Sequence, residues 1–404
     1  MISLREKKKV VTLMTENSLG VAVIGGGMAG RAHAAGYRMA STLFGTDRPD
    51  VRLVAIADTN KGVADDTAKR YGYERAEYSW QAIAEAQDID VVSVVVANHL
   101  HREIVEGLLA AGKNVLCEKP LAGSLADAES MVAAAAASSG IASVGYTYRR
   151  SPAVQAIADE LAAGRLGEIV HFDGRYRADY SLDPSGPITW RYRGGQGTGA
   201  LADVGSHLID LAEYVAGPIV EVRGAQFCTV VTERPVPVGV TYGHTKAETT
   251  GETAPVENED IATFTAQFAG GFVGTFSASR VSHANPDGLS FDVFGTRGSA
   301  SWALERAAEF HISTTDIDET VNGRRQVIIG PQHPYIQGGL PMDAGGVGHG
   351  KAEFFAYQAR AFLDQVAGLT GLPPLPDFAH GLRGMQIVAA IAESAAANGT
   401  AVKI

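Results

Sequence analysis

Cysteine is nearly missing from this 404-residue chain: only Cys117 and Cys228 occur, and they form no metal-like CxxC spacing. That argues against a disulfide framework and against any metal site. Long apolar runs are missing too, so no transmembrane helix is expected. Positive charge is scarce, with 34 Lys and Arg against 45 Asp and Glu and a net charge of −11. Nucleic-acid binding needs clustered cations at phosphates, and the one basic cluster, residues 5–9, sits in a short tail that reads as a solvated extension. The apolar stretch 10–14 is too short for a signal peptide and meets Glu16, and Met14 offers a second start site. The expectation is a soluble, cytoplasmic protein with neither nucleic-acid nor membrane partners.

Apolar residues and glycine are abundant instead: 46% of the chain is hydrophobic, with 47 Gly, which suffices for large cores. At roughly 150 residues per domain, two or three domains are expected. From Gly20 to Gly145, short apolar runs (21–24, 53–57, 91–96, 114–117, 141–144) alternate with amphipathic stretches such as 102–111 and 125–137. Ser124 followed by Asp127 marks a helix start, and Gly112 a helix stop. Strand and helix in alternation predict an α/β fold with a doubly wound parallel sheet. After Tyr148 the pattern changes to helices at 153–163 and 204–215 and long strand-like runs at 169–180, 220–232, 261–268, 272–279 and 290–294. Tight turns join several of them, which predicts an α+β domain with a large open, mainly antiparallel sheet. The polar stretch 243–260 reads as an exposed loop, and 353–366 and 384–396 as closing helices. The expected units are a flexible extension over 1–18, an α/β domain over 19–147 and an α+β domain over 148–404.

Four motifs carry chemistry. Gly25-Gly26-Gly27-Met28-Ala29-Gly30 follows the first strand and opens a helix. In that context Gly25 permits a tight turn, Gly27 lets a pyrophosphate approach the backbone, and Gly30 lets helix and strand pack closely. The alternative is a glycine-rich turn with no ligand. Asp58 ends the second strand, where a carboxylate accepts hydrogen bonds from a ribose and repels a 2′-phosphate, so NAD is expected over NADP. Its distance from Gly25 implies an enlarged first crossover near 41–50, and a turn or helix-cap role for Asp58 stays open. Glu118-Lys119-Pro120 lies at the carboxyl end of an apolar strand, the edge at which ligands bind in open α/β sheets. Taken alone, Lys119 fits a surface lysine at least as well as a proton carrier. Asp203, His207 and Asp210 share one helical stripe, whereas Val204, Leu208, Leu211 and Val215 share another. A carboxylate one turn from an imidazole can orient it for general-base work; a polar face meeting solvent is the plain alternative.

Taken in order, the glycine loop, Asp58, the stretch from Asn98 to His101, Glu118-Lys119-Pro120, Tyr148-Arg149-Arg150 and the Asp203–His207 pair resemble the Gfo/Idh/MocA oxidoreductases. The resemblance implies a Rossmann domain followed by an α/β domain whose open sheet mediates assembly as a homodimer or homotetramer. It implies a catalytic set of Lys119, Asp203 and His207, and NAD contacts from Gly25, Gly27, Met28, Ala29, Gly30, Asp58, Ala97, Asn98, His101, Glu118, Lys119 and Arg149. Val96-Ala97 stands where many members carry Thr-Pro, which bears only on adenine-side contacts.

Trp190-Arg191 and His333-Pro334-Tyr335 resemble the branch that holds levoglucosan dehydrogenase and related sugar dehydrogenases. This makes Tyr148, Tyr180, Trp190, Arg191 and His333, with Lys119, Asp203 and His207, the candidate substrate contacts, aromatic faces suiting sugar C–H surfaces. The implied activity is NAD-dependent oxidation of a hydroxyl of a pyranose, anhydrosugar or cyclitol. Two alternatives stand beside it: a glycosidase that recycles bound NAD, and a non-catalytic NAD-binding regulator.

Overall fold

Apolar runs with no polar face are buried on both sides, and the amino-terminal part is built that way. The computed structural model describes residues 18–45, 48–195, 197–239, 241, 247–315, 320, 323–339, 341–342 and 344–404; the tail expected to be a flexible extension lies, but for Ser18, outside the described residues. Six strands make one parallel sheet: β1 (Ser18–Ile24), β2 (Asp50–Ala57), β3 (Arg75–Glu77), β4 (Val91–Val94), β5 (Asn114–Glu118) and β6 (Ala142–Gly145). Their spatial order, 3-2-1-4-5-6, is that of a dinucleotide-binding sheet. The helices between them are α1 (Met28–Ala40), α2 (Lys61–Tyr71), α3 (Trp80–Glu85), α4 (His101–Ala110) and α5 (Leu125–Ala137). At the start of α5, Ser124 Oγ accepts from the Asp127 amide at 3.2 Å and donates to the Asp127 carboxylate at 2.7 Å.

The enlarged first crossover is real, since α1 ends at Ala40 and β2 begins at Asp50. It reaches the carboxyl-terminal part: the Phe44 amide donates to Gly338 O at 2.8 Å, and Arg48 pairs with Asp364.

The second sheet is fed by α6 (Pro152–Ala162), β7 (Ile169–Arg177), α7 (Ser206–Ala216), β8 (Ile219–Cys228), β11 (Ile261–Phe268), β12 (Val273–Ser279), β13 (Gly288–Gly295), β14 (Gly298–Ala303), β15 (Glu309–Thr314), β16 (Arg325–Ile328) and β17 (Val402–Lys403). Its nine strands run in the order 16-15-14-13-7-12-11-8-17. β7 and β12 are parallel and the other pairs antiparallel, so the sheet is mixed rather than purely antiparallel. The expected loop over 243–260 holds a strand instead: β10 (Thr249–Pro255) pairs with β9 (Glu233–Pro237). Its residues are exposed on nearly every position, so no apolar period marks it; residues 243–246 lie outside the described residues.

One face of the second sheet is lined by Phe172, Phe264, Phe268, Phe276 and Phe291, several in stacked pairs. Helix α7 lies directly on it, because a Cβ at Gly174 of β7 would stand 2.7 Å from Leu208 Cδ1. Two closing helices, α8 (Lys351–Val366) and α9 (Phe378–Ala396), return to the first sheet. α8 packs on α1, where a Cβ at Gly36 would meet Phe355 O at 2.8 Å, and α9 sends Phe378 and Met385 into the first sheet's core. The last quarter of the chain is thereby brought against the carboxyl ends of the parallel strands. Among the described residues, no helix is long and apolar enough to cross a membrane.

Candidate active site

The glycine loop turns at Gly25, whose φ of +104° is a left-handed value and whose amide donates to Ala57 O at 2.7 Å. A Cβ at Gly25 would stand 2.1 Å from Val95 O, and one at Gly30 would stand 1.7 Å from Gly25 O. At Gly27, by contrast, nothing lies within 4 Å of an added Cβ, so the backbone there faces open space at the amino end of α1. An open glycine at a helix amino end is the cradle a pyrophosphate requires. Met28 is exposed and Ala29 half-buried on the same turn. Asp58 closes this end: its carboxylate accepts from the Gly26 amide at 2.9 Å and the Asn60 amide at 2.8 Å. The turn-residue role and the ribose role are compatible, since a carboxylate has acceptor sites beyond those two bonds. Glycines, helix end and carboxylate together fit a dinucleotide.

At the end of β5 the side chains turn toward chemistry. Glu118 meets His33 Nε2 at 2.9 Å and accepts from the Lys119 amide at 3.1 Å. Burial would raise its carboxyl, but His33 and the Lys119 charge hold it below the ordinary range. Lys119 Nζ donates to Asp203 O at 2.6 Å and to Asp203 Oδ1 at 3.3 Å. Tyr180 donates to Asp203 Oδ2 at 2.5 Å. Burial opposes the charge on Asp203, yet the cations Lys119 and Arg191 and the Tyr180 hydroxyl hold its carboxyl well below the usual range.

His207 sits one step further, edge-on to the Tyr148 ring at 4.6 Å between centroids, with Tyr146 and Tyr176 at 6.4 and 6.3 Å. Among the described residues no hydrogen bond joins it to Asp203. The reason is local: residues Leu201–Gly205 form a π-helical turn before α7 begins at Ser206, which alters the 3.6-residue phase used to align 203 with 207 and 210. Asp203 is thus turned to Lys119. Asp210 is buried elsewhere, taking two hydrogen bonds from Arg149 Nε at 2.8 and 3.0 Å, with His380 Nε2 3.0 Å away. Burial, then the charges of Lys119 and Lys351, push the His207 imidazole well below the ordinary histidine range, with Asp203 opposing.

Other expected contacts are distributed unevenly. The Arg149 guanidinium is committed to Asp210 and lies 4.8 Å over the Tyr214 ring, so it locks the 3₁₀ turn Thr147–Arg150 to α7. Asn98 Nδ2 donates to Gly197 O at 2.5 Å, tying the turn after Ala97 to the loop that leads into Asp203. His101 is buried between Leu121 O at 3.1 Å and Val96 O at 3.2 Å, a bracing position. Trp190 and Arg191 stack at 4.5 Å in the loop after Tyr180. His333 is set apart. It stacks on buried Tyr335 and lines a separate cleft of about 420 Å³ with Gln155, Asp159 and Leu372, a cleft that holds none of Lys119, Asp203 or His207.

Several contributors carried no motif. Tyr146, Tyr176, Asp287 and Lys351 surround His207 and Tyr148, and His33 holds Glu118. The loop bearing Trp190 is pinned by Arg280, fully buried, which pairs with Asp260 at 2.8 Å and donates to Arg191 O at 3.3 Å. In the sequence it is a lone basic residue directly after a strand of mostly small and polar residues, with no motif to mark it.

Comparison with known proteins gives the family. Residues 19–146 match the oxidoreductase family with an NAD-binding Rossmann fold, and residues 154–301 match the GFO/IDH/MocA C-terminal domain. Levoglucosan dehydrogenase of Pseudarthrobacter phenanthrenivorans is 35% identical over 383 residues, 94% of this chain and 96% of that protein. A solved levoglucosan dehydrogenase in complex with NADH and levoglucosan has a TM-score of 0.86 at 33% identity, covering 96% of this chain and 99% of that one. An oxidoreductase domain protein from Kribbella flavida has a TM-score of 0.86 at 32% identity, with the same coverage. The glycine cradle, Asp58 and the Lys119–Asp203 pair thus sit in a chain that belongs to the Gfo/Idh/MocA family of NAD-binding oxidoreductases.

Proposed function

We propose that this protein oxidises a hydroxyl of a pyranose sugar, anhydrosugar or cyclitol with NAD. The observation that carries the proposal is the Lys119–Asp203 pair at the carboxyl end of β5, with the His207 imidazole within range of both charges and Glu118 tied through His33 to the helix that the open glycine loop begins. NAD held by Gly25, Gly27, Gly30 and Asp58 supplies the hydride acceptor. The substrate hydroxyl lies between Lys119 Nζ and the imidazole. Lys119, its charge held by Asp203, donates to that oxygen and stabilises developing negative charge. His207, neutral because burial and two cations disfavour its protonation, accepts the hydroxyl proton. Asp203 therefore orients Lys119 rather than the imidazole, with Tyr180 fixing its second oxygen. Tyr148, Trp190 and Arg191 form the sugar-facing wall, and the likeness to levoglucosan dehydrogenase favours a pyranose or anhydrosugar over a cyclitol. We further infer a division near residues 147–148, a cytoplasmic setting, and assembly as a homodimer or homotetramer through the outer face of the nine-stranded sheet.

The test is a panel of free sugars, anhydrosugars and cyclitols with NAD and NADP, following reduced-cofactor absorbance, beside chromogenic glycosides with trace NAD. Stoichiometric reduced NAD with a sugar is the expected result. Sustained aglycone release without net cofactor reduction overturns it.

A further inference from the structure

Three groups beside His207 have no task in the chemistry above: Tyr176 of β7, Asp287 before β13, and Lys351, the first residue of α8. The structure joins them in one chain. Tyr176 donates its only O–H to Asp287 Oδ1 at 2.6 Å, so the Tyr148 hydroxyl, 2.8 Å away, must donate to Tyr176. Lys351 Nζ donates to Asp287 Oδ2 at 2.8 Å and stands 5.2 Å from the Tyr148 ring centroid. His207 packs edge-on against that same ring.

We propose that Lys351 is a positioning residue of this active site: held by Asp287 over Tyr148, it fixes the ring on which His207 rests and keeps a positive charge one ring away from the imidazole. The inference rests on His207 as the proton acceptor. The Tyr148 ring is held at its hydroxyl by Tyr176 and at its face by Lys351, so loss of the ammonium frees the surface on which His207 packs. Charge acts in the same direction. The groups facing His207 are Lys119 beyond β5, Asp203 in the π turn, Lys351 of α8, Tyr146 just before the 3₁₀ turn, Tyr148 within it, and Tyr176 of β7. From α9, His380 reaches only the Tyr146 ring. Two cations face His207 against the Asp203 carboxylate, which already serves Lys119 and Tyr180, while the Asp287 carboxylate holds Lys351 in place. Lys351 is the cation that the substrate oxygen does not need.

The experiment reads the imidazole directly. Protein labelled at histidine ¹³Cε1 is titrated by NMR, with His207→Gln assigning the signal. In Lys351→Met the His207 midpoint should rise by at least half a pH unit, and in Lys351→Arg it should stay near the parent value. With an oxidised substrate in hand, the acid limb of kcat/KM should move with it. If Lys351→Met does not fold, Lys351→Gln, which keeps a donor for Asp287, carries the same titration. A folded variant with an unmoved midpoint overturns the proposal, as does a parent His207 that titrates in the ordinary range. A purely structural Lys351 would lower Tm and leave the midpoint in place. Failure of every sugar to be oxidised overturns the functional reading alone, because the titration needs no substrate.

Discussion

At the glycine loop the close contacts are mostly with backbone, from the loop itself, from Ala57 and from Val95 after β4, and Asp58 adds a carboxylate. The other end of the site, around Lys119 and His207, draws side chains from separate segments between residues 118 and 351. The first end is set by what fits beside a main chain: an oxygen 1.7 or 2.1 Å from a would-be Cβ leaves no choice but glycine. The second is set by which charges and rings long-range packing brings together. The two ends should accordingly fail differently when altered.

The largest effect is expected at the second end. Lys119→Ala and His207→Ala should each lose roughly 10²–10⁴-fold in kcat, the usual contribution of positioned proton transfer. Both should keep NADH binding, read by cofactor fluorescence. Since both act on one oxygen, the double variant should lose less than the product of the single losses. Fully multiplicative losses would show that they do not act together.

Next comes a proton-linked stability cost in the same region. His349, two residues before Lys351, is buried with neither ring nitrogen hydrogen-bonded among the described residues, and burial pushes it down to about 4. A depressed folded value means the unfolded chain takes the proton first. Its stabilising share is therefore complete above about pH 6.5 and is lost as pH falls toward 4. From pH 7 to 4.5 that amounts to roughly 2–3 kcal/mol. Urea midpoints of the parent should fall over this window more than those of His349→Phe; parallel curves would show that His349 is not responsible.

The glycine loop gives a sharper contrast. Gly30→Ala forces a Cβ onto Gly25 O and should cost roughly 1–3 kcal/mol of stability, visible as a lower Tm. Gly27→Ala adds a Cβ that meets nothing within 4 Å and should leave Tm unchanged while weakening NAD binding about tenfold, about 1.4 kcal/mol. Equal losses of Tm in both would mean that Gly27 is structural.

The smallest effect concerns Asp58. Asp58→Ser should narrow the NAD over NADP preference by about tenfold, about 1.4 kcal/mol. A parent enzyme with higher kcat/KM for NADP would overturn the ribose assignment.

How much of this was legible along the chain depends on the range of the interaction. Helix α5 runs over the residues its Ser124–Asp127 start and alanine-rich pattern imply, and β11 over the residues its alternation implies. Both signals are local. The strand β10 was not legible, because an exposed hairpin has no apolar period to show. Arg149 and His101 were placed at the cofactor by resemblance, but their side chains brace Asp210 and two backbone carbonyls. A motif records which residue stands at a position, not where its side chain points.

The sequence by itself determined the parallel sheet, the glycine turn and the place of Lys119 at a strand's carboxyl end, since each follows from steric rules that act over a few residues. Only the tertiary structure decided that Asp203 faces Lys119 instead of His207, that His333 belongs to another cleft, and that Lys351 joins the site from more than 140 positions beyond His207. The physical reason is a single π-helical turn and a returning helix. Both depend on packing between two sheets, and a pattern of neighbours along the chain carries no record of that packing.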